Sequence, residues 1–247
     1  MAELTIAIFI FIFGILIGSF LNVVIYRIPK GGSIVFPASK CQSCEKPLKW
    51  YHNIPIFSWL FLRGKCGFCS EKISIQYPII ELTTGVIALL IYNKLGLVWN
   101  LPIVFAVFTL LLALTVIDLK EMVADDSLNL LALALAVISP TFLDSLHDAL
   151  IGAGGFILLR YYVSYFIGKE AMGEGDVIIA GTMGALLGFP LFLYAVFLSA
   201  ILALVPSYLT QNAEKQIPYI PFLALATFIV YIFDSQVETI MGFILYG

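Results

Sequence analysis

Charge is what this chain has least of. Only 12% of its 247 residues are Asp, Glu, Lys or Arg, against 61% hydrophobic residues, about half the charged share of an ordinary soluble domain. Mean hydropathy is +1.03. That leaves too little polar surface to wrap a water-soluble globule, so most of the chain has lipid as its solvent. No long basic stripe runs through the apolar segments, which excludes nucleic-acid binding. The net charge of −3 says nothing about partners, because the few charges are unevenly spread. A basic n-region and a small-residue cleavage site are missing around the first apolar run, residues 4–26, which opens on Met-Ala-Glu and closes on Arg27. The expectation is a retained membrane span, for which roughly 20 apolar residues suffice, and not a cleaved signal peptide.

What charge there is gathers after that run. Eight of the thirteen basic residues, all four cysteines and four prolines fall between Arg27 and Tyr77. This stretch reads as a loop-rich module too small to hold a core unaided, and its basic surplus places it in the cytoplasm. Apolar runs follow at 78–93, 101–117, 127–143 and 149–167. The uncharged stretch 177–213 is long enough for two spans broken at Gly188-Phe189-Pro190, and a last span covers 217–233. The fold class expected is therefore an all-α polytopic membrane protein of about eight transmembrane helices, with a small cysteine-rich cytoplasmic module after the first. Its divisions are 1–26, the first helix; 27–77, the cysteine module; and 78–247, the membrane core. With eight crossings, eleven of the thirteen basic residues lie on the cytoplasmic side, which supports both the count and the orientation.

That count also brings two acids to one membrane face. Asp118 ends the run 101–117, and Asp176 opens the run beginning at Val177, behind Gly173-Glu174-Gly175. Acids at the edges of membrane segments are costly and need a reason. Two carboxylates within reach share one proton, so that one draws a proton from water while the other polarises a carbonyl; this is the chemistry of an aspartyl protease. Gly173 and Gly175 would let an extended substrate backbone approach and let the chain take unusual dihedrals. The plainer alternative is a turn with Asp176 as a helix cap, and Asp118 on the same face favours the dyad. Asp126 is expected to cap the helix beginning at Ser127. Arg160, well inside its span, is expected to pair with Glu81 or one of the aspartates. His52 and His147 read as solvated, the latter in an external turn, and Trp50, Tyr51, Trp59 and Trp99 as interfacial anchors.

Cys41-Gln-Ser-Cys44 and Cys66-Gly-Phe-Cys69 are two CxxC pairs with 21 residues between them. The spacing suits a tetrahedral zinc held by four thiolates, with no open position for catalysis. A reducing cytoplasm disfavours disulfides; a redox pair and four free thiols are the other readings.

Together these motifs resemble the type IV prepilin peptidase family, of the GxGD class of membrane aspartyl proteases. The resemblance rests on Asp118 with Asp126 eight residues on, GEGD at 173–176, GSFLNVVIYR at 18–27, NIPIFSW at 53–59, IQYPIIE at 75–81 and IPYIPFL at 217–223. It departs at Asp125, Ile178 and Ile220, where the family usually has proline, lysine and glycine. The resemblance implies that Asp118 and Asp176 are the catalytic pair. It implies that the enzyme sits in the bacterial inner membrane and cuts the basic leader from type IV prepilins or pseudopilins after a glycine. It further implies methylation of the new N-terminal residue with S-adenosylmethionine as donor, an activity associated with the cysteine module. No strand-embedded glycine fingerprint marks a donor site, and the glycines of Gly152-Ala-Gly-Gly155 read as helix packing. Glu81, Glu121, Asp125 and Glu174 are candidates to receive the leader. An ion-coupled transporter using the membrane acids, and a zinc-bearing assembly scaffold without chemistry, are the rival classes.

Overall fold

The computed structural model describes residues 2–138, 141–168, 170, 172–209 and 217–246. Among them the chain is helical, with two isolated β-bridges as its only extended pairing, and it divides into two compact units, Met1–Leu97 and Val98–Gly247.

In the first unit, α1 (Ala2–Arg27) packs antiparallel on α3 (Gln76–Leu95). The seam is made of small residues. A Cβ on Gly14 would stand 2.8 Å from the Ala88 Cβ, and one on Gly18 2.7 Å from the Glu81 Cα, so the two backbones touch as closely as small-residue seams in membranes allow. The opposite side of α1 is bare: Leu4, Ile8, Phe9, Phe13, Leu16 and Phe20 are all exposed. An apolar surface of that extent is made to face lipid. Between the two helices lie the cysteine loops and the short helix α2 (Phe57–Phe61). Trp59 ties this module together by donating from Nε1 to the Ile73 carbonyl at 3.2 Å. It is an internal strut more than an interfacial anchor, whereas Trp50 is exposed as expected.

The second unit holds α4 (Leu101–Glu121), α5 (Asp126–Val137), α6 (Phe142–Ile167), α7 (Glu174–Leu187), α8 (Leu191–Leu209), α9 (Ile220–Ile232) and α10 (Asp234–Tyr246). Helix α7 lies at the centre, packed on α5, α6, α8 and α9, with Ile179, Ala180 and Met183 fully buried. Its approach to α6 depends on missing side chains: a Cβ on Gly152 would overlap the Ala180 carbonyl, and one on Gly184 the Asp148 carbonyl. Gly152 is thus a packing residue as expected, whereas a Cβ on Gly154 or Gly155 would meet nothing within 4 Å, so the packing role expected of Gly152-Ala-Gly-Gly155 holds at 152 and not at 154 or 155. Buried Thr109, Thr182 and Thr227 return their hydroxyls to the carbonyls four residues back, so they leave no polar group unpaired in the core.

Among the described residues five helices are long and apolar enough to cross a membrane: α1, α3, α4, α6 and α8. The number rises to six if α9 and α10, bent by 88° at their junction, form one broken span. The expected eight is not reached by length, because α5 has 12 residues and α7 has 14. At a 1.5 Å rise these reach only about 18 and 21 Å, against a hydrocarbon core of about 30 Å. The break in 177–213 does fall at Gly188-Phe189-Pro190, between α7 and α8. The caps differ from expectation in one place. Asp125, not Asp126, caps α5, its Oδ1 accepting from the backbone N–H groups of Ser127 and Leu128. Residue 125 is extended, as a cap must be, while Asp126 is already helical. His147 lies within α6 and not in a turn, exposed, with Nδ1 3.1 Å from Asp148 Oδ1.

Candidate active site and cysteine cluster

Asp118 occupies the last full turn of α4 and Asp176 the first turn of α7, and both are buried, at 7% and 8% exposure. Helix α9 brings their surroundings together. It packs on α4 and on α7, and its first backbone N–H, that of Ile220, donates to Asp118 Oδ2 at 3.2 Å. The adjacent Tyr219 lies within electrostatic reach of Asp176, with its hydroxyl 2.9 Å from that of Ser199. The charge of Asp118 also acts on Asp176. The two acids separated by a long stretch of sequence therefore share one end of the second unit.

Each carboxylate is half engaged. Asp176 Oδ2 accepts from the Gly173 N–H at 3.1 Å, reaching back over the first turn of α7 from its third position. Among the described residues one oxygen of each aspartate accepts a hydrogen bond, and a carboxylate has further acceptor capacity for a water or a substrate group. Asp176 is thus not the cap of α7, a place Gly173 takes, although its side chain steadies the helix start.

The flanking glycines do not take the unusual dihedrals that the sequence suggests. Gly173 is extended at φ −69°, ψ 156°, and Gly175 is helical, so neither uses the left-handed backbone open to glycine. Gly175 is buried where a Cβ would overlap the Ala124 Cβ. Its carbonyl accepts from Asn129 Nδ2 at 2.9 Å, which locks the start of α7 against α5. Gly173 is exposed, and a Cβ there would meet only the Asp176 carboxylate, at 3.5 Å. Glu174 is exposed, and its Oε1 pairs with Arg160 Nη1 at 3.4 Å; Glu170 stands 3.8 Å from the same guanidinium. Arg160 thus finds its acid partners in Glu174 and Glu170, in place of the expected Glu81 or the aspartates: α6 and α7 run side by side and present 160 and 174 to one another, and Glu170 lies beyond the end of α6. Its charge still reaches Asp176.

Sequence reasoning missed the roles of Asn129, Tyr219 and the Ile220 amide, although Tyr219 and Ile220 lie in the IPYIPFL stretch at 217–223 and Asn129 stands out as a lone amide within an apolar run. It is fully buried, and its Oδ1 has no partner.

In the first unit the four cysteine sulfurs lie within 4.8 Å of one another, Cys41 and Cys69 at 3.9 Å, with no disulfide. Sulfurs about 2.3 Å from a central zinc stand about 3.8 Å apart, so the donor set fits. The local fold repeats. Cys41 N–H donates to the Lys46 carbonyl at 3.0 Å, and Cys66 N–H to that of Glu71 at 2.8 Å. One bridge joins Lys40 to Pro47 and the other Lys65 to Lys72. The residue after each second cysteine, Glu45 or Ser70, is left-handed at φ 57° and 60°. These are two knuckles of one design. Cys41 is lowered to about 6, first by the Cys44 and then by the Ser43 backbone amide. Cys69 is pushed up to about 12: the Glu71 amide favours its thiolate, but desolvation and the Cys66, Cys44 and Cys41 sulfurs outweigh it. Thiolates so crowded call for a cation.

Glu81 belongs to this unit. It is buried in α3, and its Oε2 accepts from the Ile56 N–H at 2.7 Å. Ile56 is the centre of a γ-turn, φ 61° and ψ −54°, closed by the Phe57 N–H on the Pro55 carbonyl at 2.6 Å. This conformation is rare and strained, the more so for a β-branched residue.

A lipid-facing helical protein with two buried aspartates at one end and a four-thiol cluster in a separate unit belongs to a narrow class, and comparison with known proteins identifies it. Residues 12–95 match the bacterial peptidase A24 N-terminal domain, and residues 105–208 the type IV leader peptidase family. Relatives named prepilin leader peptidase/N-methyltransferase include that of Pectobacterium carotovorum subsp. carotovorum, 34% identical with 83% of each chain covered. That of Stutzerimonas stutzeri is 31% identical, covering 92% of this chain and 90% of the relative. That of Myxococcus xanthus is 38% identical over 73% of this chain, which spans only 56% of that relative. No solved structure matches. The chain belongs to the prepilin leader peptidase/N-methyltransferase family.

Proposed function

We propose that this chain removes the leader from type IV prepilins or pseudopilins and then methylates the exposed N-terminal residue, with Asp118 and Asp176 as the hydrolytic pair. The observation that carries the first half is the convergence of these two buried acids, each held through one oxygen by a backbone N–H, at the α9 end of the second unit. One carboxylate, ionised, takes a proton from a water while the other, protonated, donates to the scissile carbonyl; the roles then reverse as the amine leaves. The Ile220 N–H holds Asp118 and the Gly173 N–H holds Asp176, so neither has to be ordered when substrate arrives. Gly173 and Glu174, both exposed, offer contacts to the chain on the leader side of the cut, and Gly175 fixes the close packing behind them. Glu81 contacts the substrate in the first unit. The acceptor residue and cleavage after a glycine follow from the family.

The name of the relatives' second activity implies S-adenosylmethionine as donor. Cys41, Cys44, Cys66 and Cys69 would hold a structural zinc whose closed shell stiffens the module 27–77. We place the enzyme in the bacterial inner membrane with the aspartates at the cytoplasmic face and the core at 78–247. The short helices α5 and α7 complete eight membrane-embedded helices, and the shortness of α7 would set Asp176 below the surface.

The experiment is direct. Detergent-purified protein mixed with a prepilin should produce the mobility shift of leader removal, and Asp118→Asn and Asp176→Asn should each lower the rate by a thousandfold or so. Cleavage that survives both substitutions would return the acids to a transport or scaffolding role.

A further inference from the structure

Helices α4 and α7, which carry the two aspartates, are joined through their neighbours, for α5 and α9 each pack on both. The spacing of Asp118 and Asp176 is therefore set from two sides. On the α9 side the Ile220 N–H holds Asp118. On the α5 side the link is a relay of three hydrogen bonds. The carbonyl of Asp118 itself accepts from the Met122 N–H at 3.0 Å, closing α4 in a left-handed cap. The carbonyl of Asp125, which caps α5, accepts from the Asn129 N–H at 3.0 Å. Asn129 Nδ2 then donates to the Gly175 carbonyl at 2.9 Å, and that carbonyl shares one rigid peptide plane with the nitrogen of Asp176. Ala124 presses on the same residue, at the place where a Cβ on Gly175 would overlap its own. One segment, 122–129, thus begins at one aspartate and ends against the other.

We propose that Asn129 is a positioning residue for the hydrolytic pair. Through the Gly175 carbonyl it fixes the peptide that carries Asp176, and so the separation across which the two carboxylates share a proton and hold a water. The proposal rests on the hydrolytic reading and deepens it. Asn129 is fully buried, which puts it out of a substrate's reach. Packing does not account for it either. Its Oδ1 accepts from no donor among the described residues, and a buried acceptor left so is destabilising. Leucine, branched at the same carbon, would fill the place without burying a polar group. Nor does the Gly175 carbonyl need the amide, since it lies within α7, where the N–H four residues on serves it. An amide that weakens the core, and directs its donor at an already bonded carbonyl beside Asp176, is there for geometry. A misplacement of about 1 Å is enough to lower a rate by roughly a hundredfold, and carboxylates that move apart lose the shared proton.

The test compares Asn129→Leu with the wild type, both full-length in detergent micelles. Tm should stay level or rise, because the variant no longer buries an unpaired amide carbonyl. The kcat for prepilin cleavage should fall by roughly ten- to a hundredfold, with KM within about twofold, because the substrate's own contacts are untouched. Opposite signs in stability and turnover are the signature of positioning, since a packing role would lower both. Should Asn129→Leu give no single folded species by gel filtration, Asn129→Ala is measured in its place, well below its own Tm, and the same split between kcat and KM is expected. A folded variant whose kcat stays within about twofold of the wild type would overturn the proposal, as would a loss carried mainly by KM. Cleavage by the wild type that Asp118→Asn abolishes keeps the hydrolytic reading, whatever Asn129 does. Cleavage undiminished by Asp118→Asn would overturn that reading and this proposal with it.

Discussion

The backbone N–H of Ile220 and the carboxylate of Asp118 meet at 3.2 Å although they are 102 residues apart. The bond comes from the main chain, so it makes no demand on the side chain at 220 beyond apolar burial. That accounts for isoleucine standing where the family usually has glycine. Removing the donor is the informative change. Ile220→Pro should lower kcat by roughly ten- to a hundredfold, the range expected for losing a hydrogen bond to a charged group. Ile220→Ala keeps the N–H and should lose far less, its deficit appearing instead as a lower Tm from the cavity left behind. Steady-state cleavage of a prepilin peptide by the two variants separates the effects, and equal losses in kcat would dismiss the bond.

Gly175 carries a steric prediction. A methyl group there collides with the methyl of Ala124 in the loop between α4 and α5, so Gly175→Ala should push α7 away from α5 and strain the Asn129 bond to the 175 carbonyl. Overpacking of this kind costs about 1–3 kcal/mol. Adding Ala124→Gly removes the opposing atom and should restore most of the lost Tm and cleavage. A double variant no better than the single one would show that Gly175 serves the substrate and not the helix packing.

How much of this was legible in the chain depends on distance along it. The cysteine pairs, the lipid-facing spans and the GEGD stretch are local patterns, and the knuckles form where the spacing puts them. The short reach of α5 was hidden because the apolar run 127–143 outlasts its helix; residues 139 and 140 lie outside the described residues. Two adjacent acids, Asp125 and Asp126, both make good caps, and only the extended backbone at 125 decides between them. The Arg160–Glu174 pair and the Ile220–Asp118 bond are products of helix packing, to which sequence separation gives no guide. His52, expected at the surface, is half-buried, and its ring contact with Phe68, sixteen residues on, is equally a product of the folded second knuckle.

The cysteine cluster predicts a stoichiometry. Elemental analysis of the purified protein should find one zinc per chain, and Cys44→Ser should bring it close to zero. Metal binding to such sites is largely folding free energy, on the order of 10 kcal/mol in small zinc modules. Limited proteolysis should therefore cut the 27–77 loops of the variant, or of chelated wild type, at protease levels that leave the metal-bound protein whole. Full resistance without metal would make the cluster dispensable to the module.

Arg160 separates packing from catalysis. Its guanidinium is a quarter exposed, while Glu174 and Glu170 are both more than four-fifths exposed, so the pairs sit largely in solvent and are worth little, about 0–1 kcal/mol together. Arg160→Leu should accordingly shift Tm by only a degree or two. The same charge, however, acts on Asp176, and losing it removes a cation from beside the dyad. Cleavage should fall by a few-fold, under tenfold, with Arg160→Lys retaining most of the activity. Glu174→Gln frees the guanidinium from its main partner, and a double-mutant cycle on kcat/KM with Arg160→Leu should give a coupling below about 1 kcal/mol. A larger coupling would mean that the pair, not the lone cation, tunes the site, and that Glu174 acts on the reaction through Arg160.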